Sequence, residues 1–155
     1  MALILLAATI LLADLAIKAV VEEADPEDFP RKLEATKGFI IIHRSHNAGF
    51  PMGVLKDKPE LVKVIPLSVL SGVAGVFLWL YPKKGHVLEK TGASLVLAGG
   101  LSNLWDRWKR GYVVDYFSFR VKKLEKIVFN IGDMAVFLGA AVMFIAQVIE
   151  VVRER

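Results

Sequence analysis

The residues best able to do chemistry in this chain are acids, amides and two bases set among apolar neighbours: Asp14 and Lys18, Asn103, Asp106 and Arg107, Asp115, Asn130 and Asp133. Their spacing gives each set a direction. Asp14 and Lys18 stand at i and i+4 with the acid N-terminal, the favourable order for an ion pair on one helix face. Asn103 and Arg107 are also four apart, while Asn103 and Asp106, and Asn130 and Asp133, are three apart, so each set shares a face of a helix. Asp115 lies in Tyr112-Val113-Val114-Asp115-Tyr116-Phe117, an apolar context where an unpartnered acid is costly. Two carboxylates in a partly dry site can do acid and base chemistry on an amide, because repulsion and desolvation separate their titrations: one holds a proton while the other activates water. Asp14 beside Lys18 and Asp106 beside Arg107 read as ion pairs joining helices. Asp115 and Asp133 have no base at helical spacing and read as the working pair.

Other chemistries find less support. The chain has no cysteine, which excludes disulfides, thiolate nucleophiles and cysteine-ligated metals. His43 and His46 are far in sequence from His86, no HExxH occurs, and the histidines read as solvated interface residues, so no metal or cofactor is expected. Ser118 and Lys122 stand four apart as a conceivable serine and lysine pair, with nothing else to support it. Gly99-Gly100 reads as a close contact between helices.

The elements that must hold these groups are apolar helices. Of 155 residues, 55% are hydrophobic and the mean hydropathy is +0.50, which points to a membrane class. Four apolar runs, about 2–21, 61–81, 91–108 and 128–152, are each about long enough to cross a hydrocarbon core of roughly 30 Å. The first run begins Met-Ala-Leu and carries Asp14 and Lys18 in its second half, so it reads as a span rather than a cleaved leader. Tyr81-Pro82 ends the second as an aromatic anchor and helix stop. The expectation is one domain over 1–155, an all-α membrane protein of four transmembrane helices with long loops at about 22–60 and 109–127. A small β element is expected there: Phe39-Ile40-Ile41-Ile42 follows Gly38 as a short strand, and 110–127 holds another extended piece. Such pieces belong at the interface or against helices, since open strands are not tolerated in lipid.

Four spans put both termini and the short loop 82–90 on one side and both long loops on the other. The polar residues inside the spans then converge at the long-loop side, in one leaflet. Charge does not orient the chain. The net charge is +4, and the bases lie in loops beside apolar runs, which favours contact with membrane lipids over nucleic acid. The short-loop side holds Lys83, Lys84, Lys90, Arg153 and Arg155. The long-loop side holds more bases, Lys123 among them, and read literally this would place the long loops in the cytoplasm.

With these residues in place, the chain resembles bacterial lipoprotein signal peptidase, the signal peptidase II family, over nearly its whole length. Asp14 and Lys18 resemble the family's Asp-x-x-x-Lys, and Asn47-Ala48-Gly49-Phe50-Pro51-Met52-Gly53 its Asn-x-Gly-x-x-Phe-Gly loop. Gly99 to Arg107, then Val113-Val114-Asp115, is similar to Gly-x-x-x-Asn-x-x-Asp-Arg and Val-Val-Asp-Phe, and Phe129 to Asp133 to Phe-Asn-x-Ala-Asp. The resemblance implies that Asp115 and Asp133 are catalytic. It further implies that Asn47, Asn103, Arg107 and Asn130 hold the pair or the substrate, and that Asp14, Lys18, Gly99 and Asp106 support the site. Leu15, Met52, Ser102, Tyr116 and Gly132 depart from the family's usual Gln, Phe, Gly, Phe and Ala or Ser, which bears on substrate or inhibitor preference.

What the resemblance implies is a metal-free, cofactor-free aspartyl endopeptidase of the bacterial inner membrane, acting as a monomer on prolipoproteins. It would cut before a cysteine carrying diacylglycerol, with its termini in the cytoplasm and the acid pair and β element extracytoplasmic. Two other classes use the same polar cluster. A proton-coupled carrier would need polar groups in both halves of the bilayer, and beyond Gln147 the cytoplasmic half is nearly bare. A scaffold subunit would show no turnover as the purified chain.

Overall fold

The computed structural model describes residues 1–50, 53–122 and 124–153; Pro51 and Met52 of the loop motif, and Lys123 and Arg155 of the charge count, lie outside the described residues. The chain forms α1 (Ala2–Glu23), β1 (Arg31–Lys32), β2 (Ile40–Asn47), α2 (Pro59–Leu80), α3 (Val87–Lys109), β3 (Val113–Phe119) and α4 (Ile131–Arg153). Mostly helical, it carries one three-stranded antiparallel sheet in the order β1-β2-β3.

Three helices, α1, α2 and α4, are long and apolar enough to cross a membrane. They turn large apolar side chains outward, among them Leu12, Leu78, Trp79, Phe137 and Phe144, the reverse of a helix that faces water. The fourth expected span, α3, is a helix of 23 residues that falls outside that apolar class. Its composition follows from its place: α3 packs against all three other helices and buries Ala93, Ser94, Ala98 and Ser102, so small and polar residues replace lipid-facing ones.

The contact of α3 with α4 is set by glycines. A Cβ on Gly92 would lie 2.7 Å from the Gly139 carbonyl oxygen, and one on Gly99 would lie 2.1 Å from that of Gly132. Two glycines seven apart on each antiparallel helix thus let the backbones touch. This confirms the close helix contact expected at Gly99-Gly100, with Gly100 packed on Leu70 of α2.

Several boundaries differ from the sequence reading. The strand expected at 39–42 runs on to Asn47 because β3 pairs with it along its length, with a register shift between Ile42 and Ser45. The last helix starts at Ile131 rather than 128, because Phe129 bridges to Phe117 and Asn130 caps the helix. Strand alternation in β3 sends Val114 and Tyr116 into a cluster with Val21 and Ile17 of α1 and leaves Val113 and Asp115 on the opposite face, lining a cleft beside α4.

Candidate active site

The cleft holds about 560 Å³ and is lined by Asn47, Gly49, Asn103, Arg107, Asp115 and Asp133, with Ile127, Val128, Phe129 and Phe137 as an apolar wall. Asp115 comes from the middle of β3 and is buried. Asp133 comes from the first turn of α4. Side chains on a helix lean toward its N-terminus, so from the Gly99–Gly132 contact the Asp133 carboxylate reaches the level of Asn103.

Each acid is held by asparagine amides whose orientation is fixed by a second partner. Asn47 pairs with Val113 across the sheet, which makes Asp115 its diagonal neighbour on the same face. Its Nδ2 donates to Asp115 Oδ2 at 3.2 Å while its Oδ1 accepts from the Gly49 N–H at 3.1 Å. Asn130 donates through Nδ2 to Asp115 Oδ1 at 2.7 Å and accepts the Asp133 backbone N–H on Oδ1 at 2.7 Å, so one buried side chain links the Asp115 carboxyl to the backbone of Asp133. Asn103 donates through Nδ2 to Asp133 Oδ1 at 2.8 Å and accepts from Lys18 Nζ at 2.7 Å. Burial and then the nearby charge of Asp133 push the Asp115 carboxyl up to about 7, against the pull of the Asn47 and Asn130 hydrogen bonds.

Behind the cleft lies a buried ion cluster. Lys18 contacts Asp14 at 2.8 Å and Asp106 at 3.4 Å, all three with no exposed side-chain surface. Asp106 also takes the Arg110 guanidinium and the Val114 N–H, which ties the end of α3 to the start of β3. Arg107 faces elsewhere: Nη2 donates to the Gly49 carbonyl at 3.0 Å and Nη1 to that of Asn103 at 3.4 Å. The expected Asp106–Arg107 couple therefore does not form, since neighbours on a helix point about 100° apart. Arg107 clamps the loop that follows Asn47 at the end of β2. Gly49 is needed there because a Cβ would sit 2.6 Å from the Val54 carbonyl oxygen.

A family model described as signal peptidase (SPase) II matches residues 6–149. The chain belongs to the signal peptidase II family. Its function is that of a lipoprotein signal peptidase, a protease of the aspartic type. Similar proteins named lipoprotein signal peptidase come from Allorhizobium ampelinum, 29% identical with 98% of this chain and 91% of that one covered, and from Mesorhizobium japonicum, 31% identical with 86% and 77% covered. Two solved bacterial membrane enzymes share the fold. One has a TM-score of 0.83 at 22% identity, covering 99% of this chain and 92% of that one; the other has 0.77 at 24%, covering 94% and 92%.

In this signal peptidase II, two departures from the family pattern, Ser102 and Tyr116, join the buried cluster. Ser102 Oγ donates to Asp14 at 2.6 Å and the Tyr116 hydroxyl donates to Asp14 at 2.8 Å. The Tyr116 oxygen also accepts the Ile131 N–H at 3.0 Å, and burial with the charge of Asp14 holds that hydroxyl above its usual range, so it stays a donor. Sequence spacing does not reveal Ser102 or Tyr116 as partners of Asp14. Arg110, four residues after Asp106, carries the same signal as Lys18 after Asp14. The remaining candidates disperse: Ser118 bonds His43 and not Lys122, His46 bonds Glu22, and His86 pairs with Glu89.

Proposed function

We propose that Asp115 and Asp133 are the catalytic acids of this peptidase, and that the substrate is a prolipoprotein cut before its diacylglyceryl cysteine. One observation carries the reading: carboxyls from two different elements open on one cleft, and Asn130 bonds both, the Asp115 carboxyl through its side-chain amide and the Asp133 carboxyl through its backbone N–H. The apolar wall of Phe129, Phe137 and Ile127 suits a substrate that brings apolar chain or lipid beside the scissile bond. The name of its relatives, lipoprotein signal peptidase, supports a substrate among lipoprotein precursors.

The chemistry needs only water. The ionised acid takes a proton from water as its oxygen attacks the carbonyl carbon, and the protonated acid gives its proton to the carbonyl oxygen. The tetrahedral diol then collapses. The first acid passes its proton to the leaving nitrogen as the C–N bond breaks, and the second recovers one from a diol hydroxyl, which restores the starting pair. Asn47, Asn130 and Asn103 hold the carboxyls, and Arg107 holds the loop.

In this reading α3 is the fourth span, hidden from lipid by its three neighbours. The chain works as a monomer in the bacterial inner membrane, with termini in the cytoplasm and the cleft extracytoplasmic, and needs no cofactor. The test is gel-shift cleavage of a diacylated pre-lipoprotein by the purified chain. Asp115→Asn and Asp133→Asn each abolish cleavage while the chain still folds and melts cooperatively. Retained turnover in either variant overturns the assignment.

A further inference from the structure

Which acid is which is written in the hydrogen bonds behind Asp133, on the footing that Asp115 and Asp133 are the acid pair. Lys18 is fully buried, and its ammonium meets Asp14 Oδ2 at 2.8 Å, Ser102 Oγ at 3.0 Å and Asn103 Oδ1 at 2.7 Å. Those three shortest contacts take its three protons, with Asp106 Oδ2 farther off at 3.4 Å, and an ammonium can only donate. The Asn103 amide oxygen must therefore face Lys18, which turns the amide NH2 onto Asp133 at 2.8 Å. Without Lys18 the amide is free to turn over and set its oxygen against the carboxylate, acceptor against acceptor.

The opposite side of Asp133 favours charge as well. The Asn130 N–H donates to Asp133 Oδ2 at 3.3 Å while the Asp133 N–H donates to Asn130 Oδ1 at 2.7 Å. That is a reciprocal cap at the positive end of α4, where a carboxylate is stabilised. Asp115 lies mid-strand, beyond any helix end, and its hydrogen bonds come from the two neutral amides of Asn47 and Asn130. We propose that Lys18, acting through Asn103, is the positioning residue that keeps Asp133 the ionised member of the pair. Asp133 then takes the proton from water, and Asp115 gives its proton to the scissile carbonyl oxygen.

The raised Asp115 carboxyl agrees with this order. The titratable and charged groups that face Asp133 or its cleft are Asp14 and Lys18 from α1, Arg107 from α3, Asp115 and Tyr116 from β3, and His46, Lys56 and Lys126 at the cleft wall.

The experiment is single-turnover cleavage against pH for the wild type, Asn103→Leu, the double variant Asp14→Asn/Lys18→Met, which removes the opposite charges of that ion pair together and leaves Asp106 with Arg110, and the triple variant. Asn103→Leu and the double variant each move the acidic limb of the profile up by about one pH unit, and the triple variant moves it no further because all act along one chain. A limb that stays at the wild-type pH while the rate follows the melt makes Lys18 a scaffold residue and overturns the proposal. A limb that moves additively in the triple variant removes Asn103 from the path and overturns it too. Infrared difference spectra at pH 6 supply a readout that needs no turnover: the protonated-carboxyl C=O band is lost in Asp115→Asn. A band that survives in Asp115→Asn and vanishes in Asp133→Asn reverses the assignment. Should both Asp→Asn variants still cleave, the acid pair itself falls; should both be dead and the limb not move, only the role of Lys18 falls.

Discussion

Replacing Asp115 by Asn has two opposed effects on stability, and pH separates them. The Asp115 carboxyl titrates at about 7 in the folded chain against an ordinary 3.8. Between those values the folded state keeps a proton that the unfolded chain has released, so stability falls as pH rises through the window. A rise of that size corresponds to about 4 kcal/mol lost between pH 4 and pH 8. Asparagine does not titrate and removes this loss. It also presents one oxygen and one NH2 where the carboxyl offers two oxygens, one to Asn47 and one to Asn130. One of those amide donors then faces another donor, at a cost of about 1–3 kcal/mol. The expected outcome is a crossover: Asp115→Asn melts below the wild type at pH 4 and above it at pH 8, while cleavage is lost at both. Melting curves in detergent at half-unit pH steps, followed by tryptophan fluorescence, read this directly. A gap between variant and wild type that stays constant from pH 4 to pH 8 refutes the buried, charge-coupled carboxyl and with it the basis for a shared proton. The companion Asp133→Asn, which removes the neighbouring charge, flattens the wild-type pH slope.

Further outcomes follow from the same geometry. Arg107→Lys loses the clamp on the Gly49 carbonyl, since one ammonium cannot reach both that oxygen and Asn103 as the guanidinium fork does; cleavage drops at least about tenfold, roughly 1.4 kcal/mol, with the melt nearly unchanged, and an active lysine variant would reduce Arg107 to a generic charge. Asp106→Asn leaves Lys18 and Arg110 short of a partner and lowers stability by about 3–5 kcal/mol, a loss that a melt within a degree of wild type would contradict. Gly99→Ala forces a methyl to within 2.1 Å of the Gly132 carbonyl oxygen, so α3 and α4 must part; the expected cost is about 1–3 kcal/mol, together with reduced cleavage because Asn103 and Asp133 separate, and unchanged cleavage would show that this contact does not set the site.

What is local or compositional can be read along the chain. Apolar length marks the helices, four-residue spacing pairs Asp14 with Lys18, a β-branched run starts the strand at Ile40, and the motif residues identify the family. The acids without a helical partner, Asp115 and Asp133, do open on one cleft. Which distant groups meet depends on how the elements pack. Asn47 reaches Asp115 because strand register makes them diagonal neighbours, and Asn103 reaches Asp133 because glycines let α3 and α4 touch. Adjacent Asp106 and Arg107 separate to different partners, and hydroxyls of Ser102 and Tyr116 converge on Asp14 across 88 and 102 residues. Spacing along one element fixes direction through helix or strand geometry, whereas contact between elements depends on register and close approach, set by packing over the whole chain. The amide orientations belong to that second class: an asparagine in sequence has no preferred end, and only the partner on its far side, Lys18, Gly49 or the start of α4, decides which atom meets the acid.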